Sequence, residues 1–146
     1  MEKLDLICAG MSAGGPQATY TPTQLQKLFF LLDREIPDKI DGPVFVFVPY
    51  DYGPHDRKVY SALDLLRRCH QINDVVNDRF SKSYTLTPPG FDRGTVALNG
   101  LNPDAIGYIK SVAKWVRAVS FLELVTTIYR RYPDMKVNSI FNGTKT

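Results

Sequence analysis

The run Tyr50-Asp51-Tyr52-Gly53-Pro54-His55-Asp56-Arg57-Lys58, with Tyr60 just beyond, gathers most of the side chains in this chain that could do chemistry. His55 between Asp51 and Asp56 has the composition of an acid–base pair or the start of a metal site. General acid–base catalysis also needs a nucleophile or a second group in matching geometry, and no motif in the chain supplies one. A metal ion takes three or four ligands, and the other histidine, His70, lies fifteen positions on. At ~1.5 Å per helical residue the two histidines would stand roughly 22 Å apart. The segment therefore predicts no catalytic residue, no metal and no cofactor, and a small hydrolase built around His55 and Asp56 is the weaker alternative function. Its tyrosines offer rigid contact area with a polar tip, which favours binding hot spots. Tyr50, Asp51, Tyr52, Gly53, Pro54, His55, Asp56, Arg57, Lys58 and Tyr60 are the candidate partner-binding residues. A structural reading stands beside this one: Gly53-Pro54 forms the turn while Tyr52 and Tyr60 pack on a sheet edge.

A second set is basic. Lys110, Lys114 and Arg117 recur at i, i+4 and i+7 and line one helix face, and Arg67-Arg68 and Arg130-Arg131 add two pairs. Clustered cations suit phosphate, so nucleic-acid binding is the alternative function. The ordinary reading is a solvated outer face. Asp64, among the outward residues of the helix that would have to read bases, opposes phosphate contact. A third set, Asp33, Glu35, Asp38 and Asp41, offers an acidic patch for a basic partner or merely solubilises a helix end.

These residues need elements to position them. Leu4, Ile7, Cys8 and Met11 predict a short opening helix. Thr21-Pro22-Thr23-Gln24 has the form of a capping box with proline at the first helical position, and Leu25, Leu28, Phe29, Leu32 and Ile36 follow on one face. Val44 to Val48 reads as a buried strand. Gly53-Pro54 is expected to open a third helix with Asp56 in its first turn and Val59, Ala62, Leu63, Leu66 and Cys69 inward. Ile72 to Val76 and Ser83 to Thr87 predict a β-hairpin with its tip near Asp78 to Lys82. Phe91 to Leu101 reads as a long connection. A helix capped by Asn102-Pro103 buries Ile106, Ile109, Val112, Ala113 and Val116. A last one opens at Ser120, with Phe121, Leu124, Val125, Ile128 and Tyr132 on its face, and ends at Pro133.

The 146 residues predict one α+β domain, mainly helical, with a small antiparallel sheet and a winged-helix-like hairpin, and a frayed tail over 142–146. Residues 1–56 carry four bases against eight acids, a net −4, whereas residues 57–146 carry fourteen against seven, a net +7. Such polarity is a hint about partners rather than about fold. Cys8 and Cys69 lack metal or disulfide spacing and read as buried thiols of a reducing compartment. With no apolar run near the ~20 residues of a membrane span and no basic leader, the expected location is the cytoplasm.

The order Gln24-Leu25-Gln26-Lys27-Leu28-Phe29-Phe30-Leu31, Tyr52-Gly53-Pro54, Tyr84-x-Leu86-Thr87 and Tyr129-x-x-Tyr132-Pro133 resembles the Panacea, or SocA-like, antitoxin domain over about residues 4 to 140. The resemblance implies a small bacterial, phage or prophage protein of a toxin–antitoxin system. It implies non-enzymatic binding of a protein partner: a cognate toxin to be neutralised, or a target presented for proteolysis. The long Phe91 to Leu101 segment departs from the simplest pattern of that family.

Overall fold

A computed structural model describes residues 1–76 and 82–136 of the chain. Its centre is one helix, α2 (Pro22–Glu35), opened by a reciprocal capping box. Thr21 Oγ1 accepts from the Gln24 amide at 3.2 Å while Gln24 Oε1 accepts from the Thr21 amide at 2.9 Å. Every residue from Leu25 to Asp33 is buried. The single apolar face expected for this helix is thus too narrow. Leu28-Phe29-Phe30-Leu31-Leu32 is apolar at successive positions, which no one-sided helix can bury, and the fold answers by enclosing α2 on all sides.

Around it lie α1 (Lys3–Ser12), α3 (Arg57–Arg68), α4 (Pro88–Asn99), α5 (Pro103–Ala118) and α6 (Phe121–Arg131). Strands β1 (Thr19–Tyr20), β4 (Ile72–Val76) and β5 (Lys82–Leu86) form an antiparallel sheet in the order β1-β5-β4. The expected hairpin is therefore present directly after α3, with Ile72 opposite Leu86 and Val76 opposite Lys82. Of its expected tip only Lys82 lies among the described residues, and the tail over 142–146 lies outside them. Strands β2 (Val48–Tyr50) and β3 (Gly53–His55) make a separate two-stranded hairpin. The chain is an α+β domain, mainly helical. Among the described residues no helix is long and apolar enough to cross a membrane.

Two sequence expectations are corrected away from the tyrosine turn. The Phe91 to Leu101 connection is helical: α4 begins at a Thr87 cap whose hydroxyl accepts from the Gly90 amide at 3.2 Å. Two prolines and two glycines at Pro88, Pro89, Gly90 and Gly94 hide it from a propensity reading. The glycines are there for proximity. A Cβ on Gly94 would run into the Cys8 carbonyl of α1, and one on Gly90 into the Gln71 carbonyl. Arg93 then ties the helices together, Nε to Asp5 Oδ1 at 2.7 Å and Nη1 to Gln71 Oε1 at 2.8 Å.

Cys69 is exposed rather than buried, because α3 ends there. The amides of His70 and Gln71 reach back to the Arg67 and Leu66 carbonyls at 3.1 and 2.9 Å, with His70 at φ 60° in the left-handed position that such helix ends require. Cys8 is buried as expected, and desolvation, partly opposed by Arg93, pushes its thiol up to about 11.

The α1–α4 contact yields a paired test. Gly94→Ala should destabilise the domain by about 3 kcal/mol, the upper range for overpacking. Gly107→Ala, in α5 where an added Cβ meets nothing within 4 Å, should stabilise by about 0.5–1 kcal/mol through helix propensity. Denaturant melts of the two variants should move in opposite directions; a neutral Gly94→Ala would contradict the close helix approach.

Candidate functional site

The segment that leads to the tyrosine turn has no sheet to lie in. Val44 to Phe47 is not a strand: of the buried strand expected over Val44 to Val48 only Val48 lies in one, and before it runs an irregular segment, bent at Phe45, whose amides bond to side chains. Asp33 Oδ1 accepts from the Val44 amide and Oδ2 from the Phe45 amide, each at 2.7 Å. Asp56 Oδ2 accepts from the Val46 amide at 2.8 Å, and its Oδ1 from the Lys58 amide at 2.9 Å. Gln26, 1% exposed, completes the clamp: its side-chain amide donates to the Asp56 carbonyl and accepts from the Asp56 amide, both at 3.0 Å. Two carboxylates and one carboxamide thus take the place of a neighbouring strand. Between these anchors Phe45 turns inward, 6.2 Å from the Phe29 ring and 5.8 Å from that of Phe47.

Asp56 is consequently the N-cap of α3, with its side chain outside the first turn, and Gly53-Pro54 lies in β3 rather than opening the helix. Gly53, at φ 102°, closes a two-residue turn in which Tyr50 faces Gly53 across the ladder. Burial also corrects the candidate surface: Gly53, Pro54 and Asp56 are interior. Both Asp56 oxygens accept backbone N–H groups, so the carboxylate is committed to structure rather than to an acid–base pair with His55. Burial, then the Lys27 charge, holds the His55 imidazole below its ordinary range, with Asp56 and Asp51 partly opposing. The imidazole lies beside two tyrosines, 4.7 Å from the Tyr50 ring and 5.3 Å from that of Tyr60.

What the clamp presents outward is an apolar row. Val46, Val48, Tyr50 and Tyr52 are 73%, 50%, 52% and 41% exposed, at every second position of the segment. The Tyr52 ring meets Phe121 edge-on at 5.4 Å. Phe121 and Leu122, at the start of α6, are themselves exposed, so Phe121 belongs to this surface and not to the inner face of its helix. Sequence reasoning assigned Val46, Val48 and Phe121 to the core because β-branched and aromatic residues in apolar runs usually lie there.

Beneath Tyr50 and Tyr52 opens a pocket of about 410 Å³, walled by Asp51, His55, Arg57 and Tyr60 and by Gln26 and Lys27 of α2. Lys27 escaped the sequence reading, which placed it outside the helix's apolar face; its position inside a run too apolar for one face was the available signal. It is 3% exposed, and its ammonium donates to the Pro54 carbonyl at 3.3 Å. Burial pulls its pKa down to about 7.

The remaining sequence candidates lie elsewhere. Lys58 borders a different hollow with Glu2, Leu4 and Leu65. Lys110 and Lys114 are exposed on α5, whereas Arg117 turns to β1: its Nε donates to the Thr19 carbonyl at 3.0 Å and its guanidinium lies 5.4 Å from the Tyr20 ring. Arg67 and Arg68 both pair with Asp64. In the acidic set, Asp33 is buried and structural, while Glu35, Asp38 and Asp41 are exposed. No protein-family description, curated protein or solved structure matches the chain.

Lys27 gives a pH test with a definite sign. Its folded pKa of about 7 lies below the ordinary 10.5, so the unfolded chain holds the proton more tightly. The penalty is full below pH 7, on the order of 4 kcal/mol, and fades as pH rises from 7 towards 10.5. The stability advantage of Lys27→Met over the parent should therefore shrink by several kcal/mol between pH 6 and pH 10. A pH-independent difference in paired urea melts would show that the amine is solvated.

Proposed function

We propose that this chain is a non-enzymatic protein-binding module, an antitoxin-like neutraliser of a toxin or an adaptor that presents a partner for proteolysis, acting in the cytoplasm. The observation that carries the binding reading is the row Val46, Val48, Tyr50 and Tyr52, continued by Phe121 and Leu122. Exposed apolar groups scattered singly need no explanation, but a contiguous set on a fixed backbone is what partner sites use. The row is fixed at its start, where Asp33 and Asp56 hold the amides of Val44, Phe45 and Val46, and beyond that by the pairing of β2 with β3, so little backbone freedom is lost on association. Tyr50 and Tyr52 supply the amphipathic anchors in which interface energy concentrates. The antitoxin or adaptor role rests on the resemblance to the Panacea domain, whose Tyr52-Gly53-Pro54 landmark falls at the turn of this surface.

The test is capture of host protein by tagged parent and Tyr52→Ala chains, from lysate treated with nuclease. A protein that survives nuclease, binds the parent and is lost by at least tenfold with Tyr52→Ala is the expected result, equivalent to about 1.4 kcal/mol or more. Circular dichroism should show the variant folded, since Tyr52 is largely outside the core. Undiminished capture by folded Tyr52→Ala would remove the surface from the account. Material lost with nuclease, and weakened by Lys114→Glu, would move the function to the basic face of α5.

A further inference from the structure

We propose that the pocket beneath Tyr50 and Tyr52 receives an acidic side chain of the bound protein, with Lys27 as the cation that holds it. This rests on the protein-binding reading above and names the chemistry of the contact. An ammonium has three donors, and among the described residues the acceptor for Lys27 is a single backbone carbonyl, that of Pro54. No carboxylate forms an ion pair with it there: those of Asp56 and Asp33 each accept two backbone amides instead. Burying a charge without a counter-ion is expensive, so the free protein carries a cost that a ligand anion would relieve. Relief would come through a charge-assisted hydrogen bond in a tyrosine-walled, half-enclosed space.

The charge of the ligand follows from the walls. One buried cation matches one negative charge. Arg57 is exposed at the rim, and Asp51 on the same wall opposes a dianion, which favours carboxylate over phosphate. That the carboxylate comes from a side chain follows from the surface above. Tyr50 and Tyr52 belong both to the pocket wall and to the exposed apolar row. A partner laid along that row passes over the mouth and sends a side chain in, rather than ending there. A pocket of about 410 Å³ holds an aspartate or glutamate side chain with room to spare.

The experiment is an NMR titration of isotopically labelled protein with four probes: acetyl-Val-Glu-Val-amide, its Gln counterpart, acetyl-Val-Gln-Val with a free chain end, and inorganic phosphate. The Glu peptide should give saturable shifts at Lys27, Gly53 and Tyr60 with at least tenfold higher affinity than the Gln amide. Lys27→Met, which replaces a buried charge by an apolar side chain of similar length and should fold, should abolish that difference. Equal binding of the Glu and Gln amides, or a preference retained in Lys27→Met, would overturn the proposal. Tighter binding of the free chain end or of phosphate would overturn the side-chain assignment. The two readings fail separately. Capture that is lost in Tyr52→Ala but intact in Lys27→Met refutes the Lys27 contact and leaves the binding module standing. Capture indifferent to Tyr52 refutes the surface, whatever the peptides do.

Discussion

The buried carboxylates of Asp33 and Asp56 are the constraint on which the rest of this surface depends. Between them they accept the amides of Val44, Phe45, Val46 and Lys58, all within 2.9 Å. A β-branched, aromatic segment at a domain surface ordinarily takes its order from a neighbouring strand. Here it takes it from side chains. Fixing three successive amides also fixes which side chains go in and which go out. Phe45 goes to the core, Val46 to solvent, and the alternation carries on through Val48 to the tyrosine turn. Burial pushes the Asp33 carboxyl above its ordinary range, with the two amide bonds pulling the other way, so the clamp is a balance between desolvation and hydrogen bonding.

That clamp is possible because α2 is enclosed. A helix with one wet face would present Gln26, Lys27 and Asp33 to water, where they would hold nothing. Buried, each must find a partner, and each finds it in the segment from Val44 to Asp56. The polar side chains of the central helix thus serve as the ligands of a surface loop. Gln26 and Asp33 are satisfied in doing so; Lys27, with one carbonyl for an ammonium, is less so. The residue that is poorly matched in the free chain lines the pocket under the exposed tyrosines, and that coincidence is the ground for the carboxylate contact proposed above.

Much of the scaffold was legible in the sequence. The Thr21 capping box and the hairpin from Ile72 to Leu86 follow from local pattern and are present, as are the inward faces of α3 and α5 except for the exposed Cys69 and the half-buried Ile106. What failed were the places where tertiary contact decides. Val44 to Val48 has the composition of a buried strand, but nothing local says that its amides will meet Asp33 and Asp56. Helix α4 is built on glycines whose value lies in the approach of another helix, a fact invisible to propensity. The tyrosine turn was found by composition, yet its division into display (Tyr50, Tyr52) and anchor (Gly53, Pro54, Asp56) needed the fold. Lys27 could have been suspected from the unbroken apolar run beside it. Its pocket could not.

The most direct measurement is residue-resolved amide hydrogen exchange of the intact chain at Val44, Phe45 and Val46. These amides have no backbone partner in a ladder, so only the Asp33 and Asp56 carboxylates can protect them. Exchange there should be slowed to nearly the global unfolding limit, alongside core amides of α2. Exchange at rates typical of an open surface loop would mean that the carboxylates do not hold the segment, and the ordered apolar row would fall with them.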